Sequence, residues 1–181
     1  MEKLLKGMFF QEIVDQVHGQ KGEKALCELE RQFGKPLTFS NFKGYPLEDH
    51  LRLLELGSKI IFKDKDRKEA IFEMGKLSWL TFAQSMVGKT VLALYAKDLR
   101  KTALSIAKLW GMITNFGVRE CQDLGERKVK IIIKEDPRPP EYIVGVLSGA
   151  VEFFKAVPKI ETKVFSPEHC EFIVSWENPR T

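Results

Sequence analysis

The chain predicts an α+β fold, and three features of its 181 residues carry that prediction. Apolar residues recur at helical spacing as far as Trp110, the period drops to two after Gly111, and a glycine-spaced apolar helix then separates two alternating hairpins. Hairpins with one wet face, preceded by helices, imply a sheet of roughly four antiparallel strands with helices packed on one face. Hydrophobic residues are 44% and charged residues 30%, the balance of a globular chain that buries a core without staples, so residues 1–181 are read as a single domain.

The elements follow in order. Leu4 to Val17 and Glu23 to Phe33 have helical apolar spacing, interrupted by Gly19-Gln20-Lys21-Gly22. Gly34-Lys35-Pro36 stops the second helix. Pro46 suits the first turn of a third, which runs to about Phe62 with Leu47, Leu51, Leu54 and Ser58 on one stripe. Asp66 then offers an N-cap, with Glu69 as its capping-box partner, to a helix through Ala70 to Val87 that is apolar nearly all round. Gly75, Ser78 and Ser85 mark places where another helix comes close. A further long helix follows Gly88, with Val91, Leu92, Tyr95, Leu99, Ala103, Ile106 and Trp110 on one stripe.

Beyond Gly111, Thr114, Phe116 and Val118, then Val129, Ile131 and Ile133, alternate with Arg119, Lys128, Lys130 and Lys134 across a turn at Asp123-Leu124-Gly125-Glu126. That pattern places the lysines and Arg119 on the wet face. Pro137-Arg138-Pro139-Pro140 leads a helix from Glu141 to Lys155. Ile160, Thr162 and Val164 pair by pattern with Cys170, Phe172, Val174 and Trp176. Gly145 and Gly149 each cost about 1 kcal/mol of helix stability relative to alanine, which a close approach offsets; tight packing on the sheet is the simplest such approach.

The ordered features Phe9-Phe10, Tyr45-Pro46-Leu47, Met74-Gly75, Val87-Gly88-Lys89, Thr114-Asn115-Phe116, Leu124-Gly125 and Val174-Ser175-Trp176 resemble an uncharacterised domain family found in many paralogous copies in myxobacteria. The resemblance covers nearly the whole chain. It implies a fold similar to TRAPP-subunit and 4-vinyl-reductase-like domains, distantly related to the haem nitric-oxide-binding sensors. Where that family carries a basic, asparagine-containing segment, this chain has Trp110-Gly111-Met112-Ile113.

Several chemical signals fall short on composition or spacing. Gly88-Lys89-Thr90 ends like a P-loop, but Ala83 stands where the motif needs glycine and a helix lies upstream, so a helix break is the reading. Strand alternation buries Cys170 and turns His169 outward, which separates a would-be thiol–imidazole pair. His18, His50 and His169 are the available haem ligands, and no spacing selects one. Cys27, Cys121 and Cys170 have no C-x-x-C spacing, leaving no metal site and reduced thiols as the expectation. No apolar run approaches the roughly 18–20 residues of a membrane span, and Met1 to Lys6 leads into amphipathic sequence. A cytoplasmic protein without a transmembrane segment is therefore expected.

Between Gly88 and Trp110, Lys89, Lys97, Arg100, Lys101 and Lys108 face a single acid, Asp98. Lys97, Arg100, Lys101 and Lys108 are the candidate protein-interaction face, suited to a partner with an acidic surface. Aromatic residues are not interleaved with them, so nucleic acid is not expected. No acid/base pair or nucleophile has its partner at recognisable spacing, so a non-enzymatic interaction scaffold, homodimeric through its long helices and without a cofactor, is the leading expectation. The alternative is a sensor holding a small apolar ligand between sheet and core helix, with Trp79, Phe82, Met86, Tyr142 and Val146 as candidate binding residues.

Overall fold

The computed structural model describes residues 2–95, 98–105, 110–111 and 113–177. The fold is α+β, as expected. A two-stranded ladder at the N-terminus joins β1 (Leu4–Lys6) antiparallel to β2 (Gly44–Pro46). The predicted first helix was drawn too long: Leu4–Lys6 is extended because its backbone bonds to β2, and the Leu4 N–H donates to Asn115 Oδ1 at 2.7 Å. The helix α1 (Met8–Lys21) begins only after Gly7, where a Cβ would stand 2.2 Å from the Ser40 carbonyl oxygen.

Helix α2 (Glu23–Phe33) ends at Gly34 in the left-handed region. Helix α3 (Leu47–Ile61) starts directly after Pro46 and buries Leu47, His50, Leu54 and Ser58 along one face. Asp66 caps α4 (Arg67–Gln84), its side chain accepting the Glu69 N–H at 3.0 Å.

The chain then breaks at Ser85, three residues before the glycine expected to break it. Ser85 is extended, and its hydroxyl oxygen accepts the Gly88 N–H at 2.9 Å, which starts α5 (Met86–Tyr95). The single long helix expected after Gly88 is also divided. Asp98 is extended and its carboxylate accepts the N–H groups of Arg100 and Lys101, so it caps a separate α6 (Leu99–Leu104). Ile106, Lys97 and Lys108 of the expected stripe and basic face lie outside the described residues.

β3 (Val118–Asp123), β4 (Lys128–Lys134), β5 (Val157–Ser166) and β6 (His169–Glu177) form one antiparallel sheet in the order β3-β4-β6-β5. The β4–β6 register sets Val129 opposite Val174, Ile131 opposite Phe172 and Ile133 opposite Cys170, all buried. Lys128, Lys130 and Lys134 take the other face, where Lys130 pairs with Glu171 at 2.8 Å. On β3 the expected phase is inverted: Val118 is exposed, whereas the Arg119 side chain is only 4% exposed. Arg119 faces inward because a buried carboxylate, Asp136, receives it.

Helix α7 (Pro140–Phe153) lies between the sheet and α4. Its glycines do require a close approach, but to α4 rather than to the sheet. A Cβ on Gly145 would stand 2.0 Å from the Phe72 carbonyl oxygen, and one on Gly75 2.1 Å from that of Tyr142. These two backbones touch with no side chain between them. Helices α1, α3 and α7 together cover much of α4, so the apolar circumference from which a second copy was expected is largely buried within the chain. No described helix is long and apolar enough to cross a membrane.

Candidate functional site

A cavity of about 50 Å³ opens where α1, α4 and α7 meet the residues ahead of β3. Phe9, Trp79, Phe82, Trp110, Ile113 and Val146 form its apolar walls, and Ser78, Tyr142 and Arg138 supply the polar groups. Two smaller cavities adjoin it through Leu147. One, of about 40 Å³, shares Trp79 and Ala150 and reaches Trp176; the other, of about 20 Å³, shares Trp110 and Val146 and reaches Arg119.

Local sequence explains why these side chains converge. In α4, Ser78, Trp79 and Phe82 fall on neighbouring turns of one face. Their counterparts on α7 are Tyr142, Val146 and Ala150, at four-residue steps. The backbone contact at Gly75 and Gly145 sets the spacing, so the larger side chains beyond it leave a gap.

The polar end of the site is an ion cluster almost free of solvent. Arg138 donates from Nε and Nη2 to Asp136, the Nη2 bond being 2.7 Å, and the Arg138 backbone N–H also bonds Asp136 Oδ1. Arg119 donates from Nη2 to the same carboxylate and from Nη1 to the Phe116 carbonyl. The side chains of Asp136 and Arg138 are 1% and 2% exposed. Both guanidiniums lie over the Trp110 ring, with centroid distances of 4.7 Å for Arg119 and 4.5 Å for Arg138. The loop from β4 to α7 fixes this geometry: Glu135 turns at φ 60°, and Pro137, Pro139 and Pro140 stiffen the backbone around Arg138.

Charge in the cluster is unequal. Burial alone would raise the Asp136 pKa, but Arg138 and Arg119 outweigh it and hold the carboxylate ionised. The Arg119 guanidinium is weakened to about 9, by burial and then by Arg138. A second polar chain runs deeper. Tyr142 Oη donates to Ser78 Oγ at 2.8 Å, and Ser78 Oγ donates to Glu12 Oε2 at 3.1 Å. Burial pushes Glu12 up to about 8, so it is neutral at pH 7. His50, fully buried with its ring edge-on to Phe10 and to Tyr142, has no hydrogen-bond partner on either nitrogen among the described residues and is pushed down to about 3 by burial and Arg138.

Of the candidate ligand-binding residues, Trp79, Phe82, Tyr142 and Val146 line the cavity together. Met86 does not. It is 84% exposed, because the break at Ser85 takes it off the α4 face that one continuous helix would have given it. Within the expected basic face, Arg100 is tied to Asp123 and Lys101 is exposed. The His169–Cys170 pair separates as predicted: Cys170 is buried with its thiol pKa raised, chiefly by burial, and His169 stacks on Phe165.

Sequence reasoning missed Arg119, Asp136, Arg138 and Trp110. One signal for Arg119 was available in Gly117. A Cβ at that position, where φ is +77°, would stand 2.3 Å from Arg119 Nη1, so glycine there makes room for the inward guanidinium.

The fold as a whole is similar to that of H-NOX domains of known structure. An H-NOX protein from S. oneidensis in the Fe(II)NO state superposes with a TM-score of 0.79 at 16% identity, covering 96% of this chain and 100% of that one. The Fe(II) unliganded H-NOX protein from K. algicida gives 0.75 at 16% identity over 98% and 100% of the two chains. An oxygen-binding H-NOX domain related to soluble guanylate cyclases gives 0.75 at 14% identity over 97% and 96%. These are likenesses of fold, and they are to H-NOX domains, where a fold similar to TRAPP-subunit and 4-vinyl-reductase-like domains was expected. Residues 1–177 match the family described as "Protein of unknown function (DUF2378)", and the chain belongs to that family. No curated protein matches it.

Proposed function

We propose that this domain is a non-catalytic sensor module that holds a small, mainly apolar molecule in the cavity between α4 and α7. The cavity itself carries the reading: aromatic and aliphatic walls enclose it, and a rigidly mounted charged cluster closes one end. The fold shared with H-NOX sensors supports a sensor over a scaffold, and the pairing of Arg100 with Asp123 leaves the scaffold reading a reduced basic face.

Similar H-NOX structures are described in Fe(II) states, and another similar structure for its haem redox potential, so haem is the group the fold suggests. The residues of this chain do not fit it. No histidine occurs between His50 and His169, and neither histidine nor cysteine lines the cavity among the described residues. The Tyr142 hydroxyl, the remaining candidate ligand on the wall, is bonded to Ser78 and held protonated by burial. An apolar cavity of about 150 Å³ takes one benzene, whereas this one measures about 50 Å³ and suits a molecule of a few non-hydrogen atoms.

The test is direct. Purified protein is analysed by native mass spectrometry and by solvent extraction for a retained small molecule. Ala150→Leu, which fills the space shared by two of the cavities, is expected to abolish retention while the protein stays folded by circular dichroism. A chain that retains nothing, and whose tryptophan emission is insensitive to small apolar probes, refutes the sensor reading.

A further inference from the structure

We infer that the molecule held in this cavity is a small organic monocarboxylate, its carboxylate facing Arg138 and Arg119 and its apolar end facing Trp79 and Phe82. The inference rests on the sensor reading and deepens it. Its first support is a count of charge. Arg119 and Arg138 bring two positive charges and Asp136 one negative, leaving one positive charge among side chains no more than 4% exposed. The neighbouring titratable groups do not cancel it, since the nearby acid, Glu12, is neutral at pH 7 and His50 is uncharged. A buried charge without a partner is strongly disfavoured, and a single negative charge would balance this one.

The second support is independent of charge. Three buried side-chain nitrogens lack a hydrogen-bond partner among the described residues: Nε1 of Trp79 and of Trp110, which both line the main cavity, and Nε of Arg119, which lines the adjoining 20 Å³ cavity. All three are donors, so what they lack is an acceptor. A carboxylate is acceptor-only and offers about four lone-pair sites. The third support is the apolar wall opposite, which favours a short hydrocarbon over the hydration shell of phosphate or sulfate. The trend of Arg119 and His50, both weakened partly by Arg138, agrees with a site carrying excess positive charge.

The experiment compares acetate, acetamide and inorganic phosphate at constant ionic strength, by calorimetry and by emission of the cavity tryptophans. Acetate is expected to bind at least tenfold more tightly than acetamide, and phosphate not to compete. Arg119→Gln keeps the Asp136–Arg138 pair balanced, and so should fold; it is expected to lose most of the preference for acetate over acetamide. Equal or tighter binding of the amide overturns the carboxylate while leaving the sensor reading standing. Equal competition by phosphate shows a general anion site and also overturns it. If neither organic probe binds while extraction still finds a retained neutral molecule, the carboxylate alone is refuted; if extraction finds nothing as well, both readings fall.

Discussion

Replacing Glu12 by glutamine should change how stability depends on pH, and the structure sets both sign and size. Glu12 has a folded pKa of about 8 against an ordinary 4.5, so between these values the folded chain holds a proton that the unfolded chain has released. Stability then falls as pH rises, by about 1.4 kcal/mol for each pH unit. His50 acts oppositely: with about 3 against 6.5, it makes stability rise with pH over that interval. The two slopes cancel from pH 4.5 to 6.5, leaving a plateau. Of these two groups Glu12 alone acts from pH 6.5 to 8, and the wild type should lose roughly 2 kcal/mol. Glu12→Gln keeps an acceptor for Ser78 and cannot ionise, so its stability should stay level across that window. Urea denaturation at pH 5.5, 6.5, 7.2 and 8 measures both curves. A wild type whose stability is level or rises from pH 6.5 to 8, or a glutamine variant that keeps the decline, refutes the burial of a protonated Glu12.

Three further outcomes follow from packing and charge. Asp136→Ala leaves two buried guanidiniums facing each other and should cost about 3–5 kcal/mol by chemical denaturation; a loss below 1 kcal/mol would contradict the burial of the cluster. Gly145→Ala pushes a methyl into the Phe72 carbonyl and should cost about 2–3 kcal/mol, whereas Gly19→Ala, with open space around it in α1, should gain roughly 0.5–1 kcal/mol; equal melting shifts would deny the α4–α7 contact. Trp176→Ala, which removes a buried ring beside Val129 and Val174, should cost about 3–5 kcal/mol, and an unchanged melting temperature would place the ring outside the core.

The hairpins, the lysine face of β4 and the Asp66 cap were legible because each follows from a local rule: alternation, or a capping residue at fixed spacing. The features that define the site were less so. Arg119 was read as wet because strand alternation assigns charge to solvent, and the carboxylate that receives it lies 17 residues away. Three-residue strands such as β1 and β2 are too short to show a period. Met86 follows Phe82 by four residues and Trp79 by seven, so an unbroken helix would have put all three on one stripe; one serine undid that. Asp98 was counted as a charge, although an acid ahead of a short helix also reads as an N-cap.

The glycine contact between α4 and α7 also governs how the cavity responds to being filled. With carbonyl oxygens where methyl groups would otherwise stand, these two helices have no compressible layer between them and act as one rigid jaw. Room for a guest must come from the opposing wall, where Trp110 and Ile113 lead into β3 and the guanidiniums of Arg119 and Arg138 rest on the Trp110 ring. If a molecule is held there as proposed, displacement of that ring would move the mount of both cations, and with it β3 at the edge of the sheet.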